Sequence, residues 1–297
     1  MNQISQKQNQ EKYIQYLAAQ RQLYDEDKKW DGALLILPII LAVLGNSAIL
    51  AIGWAFVPPL VAWIAWLYAI GELFAFPYLT SGKRSEAVKI QELFDCELFE
   101  FLWNDALGEK PKPENVYKAF QKFLKQHTST ALEGLKNWYT SPPLDEKMPI
   151  AQARVACQKQ NIWWDSEQRR EYARGIILMA SLFFIGLITV GIVADWSFRQ
   201  FLQGPLALSL TVLIVGLKHG LSHNKAAKRL DELHNRVNAL WQMAIGGTDE
   251  ETMTQKSRDL QTEIFHHRSE NPPVFSWYYH KIKEKYERVS RESHKTG

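Results

Sequence analysis

Residues 32–71 read GALLILPIILAVLGNSAILAIGWAFVPPLVAWIAWLYAIG and contain no Asp, Glu, Lys or Arg. Residues 175–194 and 200–217 also lack all four charged residue types. The hydrocarbon core of a bilayer is about 30 Å thick, and a helix needs about 20 apolar residues to cross it. The first stretch is therefore long enough for two spans, and each later stretch predicts one more. A charge at mid-membrane costs about 2.5–3.5 kcal/mol, so uncharged stretches in a chain that is 23% charged favour four transmembrane helices.

The rest of the composition predicts a polar body beside these spans. The mean hydropathy of -0.26 suits a soluble protein only because the apolar residues are concentrated in blocks. The net charge of +3 is too small to indicate nucleic-acid binding by itself. Cys96 and Cys157 have no paired spacing for a metal and are expected to be reduced thiols. The first 31 residues are polar, so we expect no cleavable signal peptide.

The charges that flank the spans predict the side of the membrane on which each segment lies. The two outer connections, near 53–59 and over 195–199, carry few charges, whereas the opposite flanks are basic. The positive-inside rule places basic flanks, and with them both termini, in the cytoplasm. The expected division is a cytoplasmic N-terminal helix over 1–31, two spans over 32–77, a cytoplasmic sensor segment over 78–174, two spans over 175–219 and cytoplasmic helices over 220–297.

Helical spacing runs through the cytoplasmic segments, and no long alternating pattern indicates a strand. Helices are predicted over 3–30, 114–126 and 250–268, and another begins at Pro149 and continues into the third span. An apolar series in the sensor segment predicts a further helix: Ile90, Leu93, Phe94, Leu98, Phe101 and Leu102. A 3-4-3-4 series predicts a short coiled-coil seam after the fourth span: Leu230, Leu233, Val237, Leu240 and Ala244. The predicted fold class is an all-α membrane protein with four spans and a mostly helical cytoplasmic domain.

Several strings of residues resemble one known family. They are AQRQLY at 19–24, IQELFDCELF at 90–99, WN at 103–104, ARVACQ at 153–158, NIWWDS at 161–166 and RREY at 169–172. With four spans at these positions, they resemble the SMODS-associated four-transmembrane (S-4TM) pore-forming effectors over about residues 10–285. The Trp-Trp-Asp-Ser and Arg-Arg-x-Tyr strings are the most specific part.

The resemblance implies a bacterial antiphage effector that is encoded beside a nucleotidyltransferase. That enzyme makes an oligonucleotide signal, and the implied role of the effector is to disrupt the inner membrane when the signal changes, with depolarisation and growth arrest or cell death. The resemblance leaves open whether the oligonucleotide is cyclic or linear and whether it opens or closes a pore. It also brings no established functional residues, so the sites below are inferred from the residues themselves.

A pore is expected to need several copies of the chain, because four apolar helices do not enclose a wide aqueous path. We expect the copies to be related by closed symmetry, and we take four as the expected number of copies. Polar residues within the spans are the candidate pore-lining residues: Asn46, Glu72, Ser181, Thr189, Ser209 and Thr211. The alternative is that Glu72 is hydrated near the interface and that the hydroxyls bond to their own helices. Gly216 and Gly220 form a small-x-x-x-small pair that predicts close helix packing or a hinge.

An oligonucleotide ligand needs cations for its phosphates and flat rings for its bases. One string leading into the third span holds both, and the predicted nucleotide-binding residues are Arg154, Trp163, Trp164, Arg169, Arg170 and Tyr172, with Arg84 as a further candidate. A ligand there would be coupled mechanically to a membrane helix. The alternatives are that the arginines anchor the span and that the tryptophans belong to an interfacial belt or to a core.

Catalysis finds little support in the sequence, so no catalytic residue, cofactor or metal is predicted. His266 and His267 are adjacent and lack helical ligand spacing, and Asp95 and Glu97 lie on different sides of a helix. No phosphate-binding glycine loop, serine elbow or zinc spacing is present. The competing hypotheses are a membrane-embedded enzyme or small-solute transporter and a membrane scaffold that recruits partners.

Overall fold

The computed structural model describes residues 2–52, 63–64, 67–68, 71, 76–140 and 147–278, and these residues contain helices and no β-strand. The helices are α1 (Ile4–Lys7), α2 (Glu11–Ile52), α3 (Phe76–Phe99), α4 (Pro113–Gln126), α5 (Ser129–Glu133), α6 (Ile150–Val193), α7 (Phe198–Phe201), α8 (Ala207–Ile245) and α9 (Glu250–Glu270). A 3-10 turn covers Asp105–Leu107, and a π-helical turn covers Leu202–Leu206. The all-helical prediction is confirmed for the described residues.

Two of these helices are about twice as long as a bilayer core is thick. Helix α2 has 42 residues and α6 has 44, which correspond to about 63 Å and 66 Å at 1.5 Å per residue. Their apolar windows have mean hydropathies of 1.8 and 2.7. A third crossing is present if the segments Phe198–Leu206 and Ser209–Ile245, bent by 61°, form one broken span. The described residues therefore contain two clear spans and at most three, and the predicted span over 56–77 lies largely outside them.

The chain divides into two compact units. Unit 1 comprises Met1–Glu26, Lys83–Arg169 and Lys225–Gly297, and unit 2 comprises Asp27–Gly82 and Arg170–Asn224. The core of unit 1 contains the predicted apolar seam, because Leu230, Leu233, Val237, Leu240 and Ala244 are all buried. They pack in one cluster with residues of α6 and α9, including Val155, Ile162, Leu260 and Ile264. The seam is confirmed as a packing surface, and its partners are other helices of the same chain.

Helix α3 ends earlier than its apolar series predicts. Glu100 has a φ of 60°, and the Phe101 amide donates back to the Cys96 carbonyl at 2.8 Å. With Glu100 in the left-handed backbone region, this bond is a common way in which an α-helix ends. Phe101 is still buried, whereas Leu102 is 90% exposed. The predicted helical position of Leu102 is therefore wrong, because the backbone turns before the series is complete.

A compact turn in unit 2 follows the third predicted span. Asp195 has a φ of 51°, and the Trp196 amide donates to the Gly191 carbonyl at 3.0 Å. Ser197 and Gln200 then form a reciprocal capping box that begins α7. The predicted outer connection at 195–199 is thus a turn held by backbone and side-chain hydrogen bonds, whereas the other predicted connection near 53–59 lies outside the described residues.

Candidate functional site

The arginine-rich string on α6 is tied to the C-terminal part of unit 1. The Arg169 side chain donates to Asp165 one turn earlier, with 2.9 Å between Nε and Oδ1. It also donates to the carbonyl of Pro272 at 2.9 Å. The other oxygen of Asp165 lies 3.2 Å from Nε2 of His267, near the end of α9. The four residues form a cross-link, the Asp165 tie, between α6 and the segment after α9.

The Asp165 tie favours the ionised carboxylate. Burial alone would raise the pKa of Asp165, but the charge of Arg169 and the contact with His267 outweigh it and hold this pKa below its usual value. An ionised Asp165 already balances the Arg169 guanidinium. A phosphate at Arg169 would therefore compete with a carboxylate that is already in place.

Arg154 is engaged in a similar way. Its side chain is buried and donates to the Phe99 carbonyl at 2.5 Å and to the Thr254 hydroxyl at 2.8 Å. Its guanidinium carbon lies 5.1 Å from the centre of the Phe101 ring, which adds a cation–π contact. Burial lowers the pKa of Arg154, although nearby carboxylates oppose that effect. These contacts explain the position of Arg154 as part of the fold, and its predicted role in ligand binding stays a prediction.

The remaining predicted ligand contacts are half-buried or buried within their own units. In unit 1, Trp163 and Trp164 meet edge to face with ring centres 6.4 Å apart, and Arg84 is also half-buried. In unit 2, Arg170 is half-buried and Tyr172 is buried. The Tyr172 hydroxyl lies 3.1 Å from Nε2 of His219, so the tyrosine already has a polar partner inside its unit.

Sequence reasoning missed the main polar group of unit 1. Glu92 and Asp95 are three residues apart on α3, which places both carboxylates on one face, and both are fully buried. Arg258 donates to Glu92 at 2.6 Å, and Arg268 donates to Asp95 at 2.8 Å. Gln261 donates to both carboxylates, at 2.9 and 3.0 Å. We call these five residues the carboxylate network.

The carboxylate network has a second layer of neutral donors. The Tyr139 hydroxyl donates to Asp95 at 2.6 Å and accepts from the Asn161 amide at 2.6 Å. Burial and the Asp95 charge raise the pKa of Tyr139, so it remains a donor. Burial would lower the pKa of Arg268, but the charge of Asp95 raises it. Two carboxylates thus face two guanidiniums in the interior of unit 1, an arrangement that fixes α3 against α9.

A surface groove along the start of α9 has the wrong charge for an oligonucleotide. It is lined by Glu250, Glu251 and Asp259, with Lys256 as the basic residue. Three carboxylates against one ammonium repel phosphate at neutral pH. We therefore do not assign the signal to this groove.

Two of the predicted pore-lining residues meet in unit 2. The Asn46 side chain donates to Ser209 Oγ at 3.2 Å and to the Ala42 carbonyl at 2.8 Å. Ser181 and Thr189 instead donate to carbonyls of their own helix, at Ile177 and Ile185, each at 2.9 Å. Thr211 is half-buried, and Glu72 lies outside the described residues. These contacts leave the pore-lining role of all six residues a prediction.

The description of one known family fits this combination of a helical polar body and membrane helices. Residues 2–296 match the SMODS-associating 4TM effector domain. The chain belongs to that effector family. The resemblance drawn from the sequence strings is confirmed, and the effector is an antiphage defence protein with a membrane-type domain.

The effector is also similar to a curated bacterial protein. A probable CBASS effector molecule from Bacillus cereus (strain VD146) is 26% identical over 278 residues, covering 92% of this chain and 90% of the relative. No solved structure matches the effector. The sequence relationship therefore extends over both units.

Proposed function

We propose that this effector forms an oligomeric pore or ion channel in the bacterial inner membrane, with both termini in the cytoplasm. An oligonucleotide made by a partner nucleotidyltransferase controls the pore. The change of state depolarises the membrane and leads to growth arrest or cell death.

The observation that supports this function is the continuity of α2 and α6. Helix α2 begins among residues of unit 1 at Glu11 and continues through the apolar segment of unit 2. Helix α6 does the same from Ile150 to Val193. Because α2 and α6 contribute residues to both units, a signal bound by unit 1 has a covalent connection to the spans.

The outer surface of the spans supports assembly of several copies in lipid. Leu44 is 63% exposed, Ile192 74% and Val193 81%. Apolar side chains of this kind contact lipid tails or neighbouring helices, and they do not line a wide aqueous path within one chain. A permeable pathway then forms on a symmetry axis between copies.

Loss of membrane potential in cells tests the pore. We expect a potential-sensitive dye to report depolarisation after phage infection only when the effector and its neighbouring nucleotidyltransferase are both expressed. A catalytically dead nucleotidyltransferase is the control. Protection from phage with unchanged potential would contradict the pore and favour the scaffold, whereas uptake of one small solute without depolarisation would favour the transporter.

Ligand binding is tested separately on the purified full chain. Replacing Arg169 and Arg170 together with glutamine should weaken oligonucleotide binding at least about tenfold, because a hydrogen bond to a charged group contributes about 1.5–3 kcal/mol. Arg174→Gln, on an exposed side chain one turn along α6, is the matched control. Circular dichroism separates lost binding from lost folding, since Arg169 belongs to the Asp165 tie. Unchanged affinity in a folded double variant removes this string from the ligand site.

A further inference from the structure

The chain leaves α9 through a segment that does not continue the helix, residues 271–278, which we call the strap. Asn271 has an extended backbone, with φ -109° and ψ 141°, and its side chain donates to the His267 carbonyl at 2.8 Å. Pro272 and Pro273 follow, and proline lacks the N–H group that would continue the helical ladder. The strap is therefore positioned by its contacts with other elements.

The strap contacts α6 near one end and α2 near the other. The Pro272 carbonyl accepts from Arg169 of α6 at 2.9 Å. Four residues later, the Ser276 hydroxyl donates to Asp25 of α2, with 2.7 Å between Oγ and Oδ1. Val274 lies between these two attachments and is buried. Two polar contacts and one buried side chain thus hold the strap against two helices of unit 1.

The two attachments lie where α2 and α6 leave unit 1. On these helices unit 1 ends at Glu26 and at Arg169, respectively. Asp25 is the residue before that end on α2, and Arg169 is the last residue of unit 1 on α6. Both helices continue without a break beyond these positions and include parts of the uncharged stretches. The strap therefore joins the two helices at the last positions that they contribute to unit 1.

The strap limits how far α2 and α6 can separate while both contacts are intact. An extended chain spans at most about 3.3–3.6 Å per residue, so the part of the strap between Pro272 and Ser276 covers at most about 14 Å. A larger separation at this level has to break the contact at Arg169 or the contact at Asp25. The strap is therefore a restraint with a fixed maximum length.

One attachment of the strap uses a predicted ligand contact. The Arg169 side chain donates both to Asp165 and to the Pro272 carbonyl. A phosphate binds a guanidinium more strongly than a neutral carbonyl does, because its oxygens are charged and can accept two parallel hydrogen bonds. A phosphate that pairs with Arg169 therefore competes with the strap for the same donor.

We propose that the strap holds α2 and α6 at their resting spacing and keeps the pore closed, and that an oligonucleotide phosphate at Arg169 releases it. After release, α2 and α6 can separate at the end of unit 1, and this movement opens the pore. The inference rests on the proposed function, because it gives that function a resting restraint and a direction of control.

Hydrogen exchange of the full chain in detergent tests the restraint without any pore activity. Ser276→Asp places a second carboxylate against Asp25, and like charges at short range repel. We expect the amides of residues 274–278 to exchange about tenfold faster, because the strap opens more often when it loses a hydrogen bond to a charged group. Ser276→Ala, which adds no charge, should show a smaller increase. Ser269→Asp is the matched control and should leave the exchange unchanged, since the Ser269 hydroxyl bonds to the His266 carbonyl of its own helix.

Membrane potential in uninfected cells tests whether the strap controls the pore. In cells that lack the neighbouring nucleotidyltransferase, we expect Ser276→Asp to depolarise the membrane when its expression is induced, as reported by a potential-sensitive dye. The unmodified chain and Ser269→Asp should leave the potential unchanged at equal amounts of protein in the membrane.

The two measurements separate the strap from the pore. Unchanged exchange in both Ser276 variants would overturn the strap as a restraint. Faster exchange without depolarisation of uninfected cells would overturn its control of the pore, if infected cells with the unmodified chain and the nucleotidyltransferase do depolarise. If neither condition depolarises cells, the proposed pore is contradicted, and the exchange rates still decide whether the strap holds α2.

Discussion

Asp95→Asn should destabilise unit 1 far more than the small change in shape suggests. The carboxylate accepts from Arg268 at 2.8 Å, from Gln261 at 3.0 Å and from Tyr139 at 2.6 Å. Asparagine has nearly the same volume, but its NH2 group is a donor and would face other donors. It also leaves the Arg268 guanidinium, which is 11% exposed, without its counter-charge.

The expected loss follows from that unpaired charge. Removing one partner of a buried ion pair costs about 3–5 kcal/mol. A change of 1 kcal/mol lowers the unfolding temperature of a domain of this size by about 2–4 °C. We therefore expect Asp95→Asn to unfold about 6–20 °C below the unmodified chain.

The assay is thermal unfolding of the full chain in detergent at pH 7, followed by helical circular dichroism. Glu97→Gln is the matched control, because Glu97 lies two residues along the same helix and pairs with the more exposed Lys12 at 2.5 Å. A surface pair of that kind contributes about 0–1 kcal/mol. Adding Arg268→Gln to Asp95→Asn should recover part of the loss, since no uncompensated charge remains at that pair. An Asp95→Asn protein as stable as Glu97→Gln would refute the stabilising role of the carboxylate network.

Three further changes have expected outcomes in the same assay. Gly220→Ala should lower the free energy of unfolding by about 1–3 kcal/mol, because the added Cβ would lie 2.8 Å from the Ile177 side chain. Gly216→Ala is the control and should be tolerated, since its Cβ would meet its nearest atom at 3.7 Å. Equal losses in the two variants would contradict the packing at Gly220. Leu233→Ala should cost about 2–5 kcal/mol, since the leucine is fully buried in the seam, and a loss under 1 kcal/mol would count against that core. Asp165→Asn should lower the free energy of unfolding at neutral pH, and the difference from the unmodified chain should shrink below about pH 4. The reason is that a carboxylate whose pKa is lowered by folding stabilises the folded state above its unfolded pKa and loses that effect when it is protonated. A difference in stability that does not change with pH from 2 to 7 would contradict an ionised Asp165.

The helices were predictable because their signals are local. The 3-4-3-4 spacing from Leu230 to Ala244 identified a buried stripe, and the structure buries each of its members. The uncharged blocks likewise identified the apolar parts of α2 and α6. The end of α3 was not predictable from spacing, because it depends on a left-handed backbone conformation at Glu100. Glycine or asparagine would have indicated that conformation, whereas glutamate does not.

The polar contacts were less predictable because they join distant parts of the chain. Arg258 meets Glu92 across 166 positions, and no local pattern pairs one arginine with one carboxylate at that separation. The arginine string on α6 was identified, but a sequence cannot show that Arg169 already faces Asp165 and Pro272. Asn46 and Ser209 were both selected as polar residues in apolar segments, and only the structure joins them.

The contact at Gly220 has a consequence for motion within unit 2. A hydrogen atom is all that fits between the α8 backbone and α6 at this point, since the space for a Cβ is bordered by Ile177 and by the Ala173 carbonyl. A rotation of α6 about its long axis would carry the Ile177 side chain along the α8 backbone at this point. Such a rotation would therefore require the two helices to separate or α8 to shift with α6.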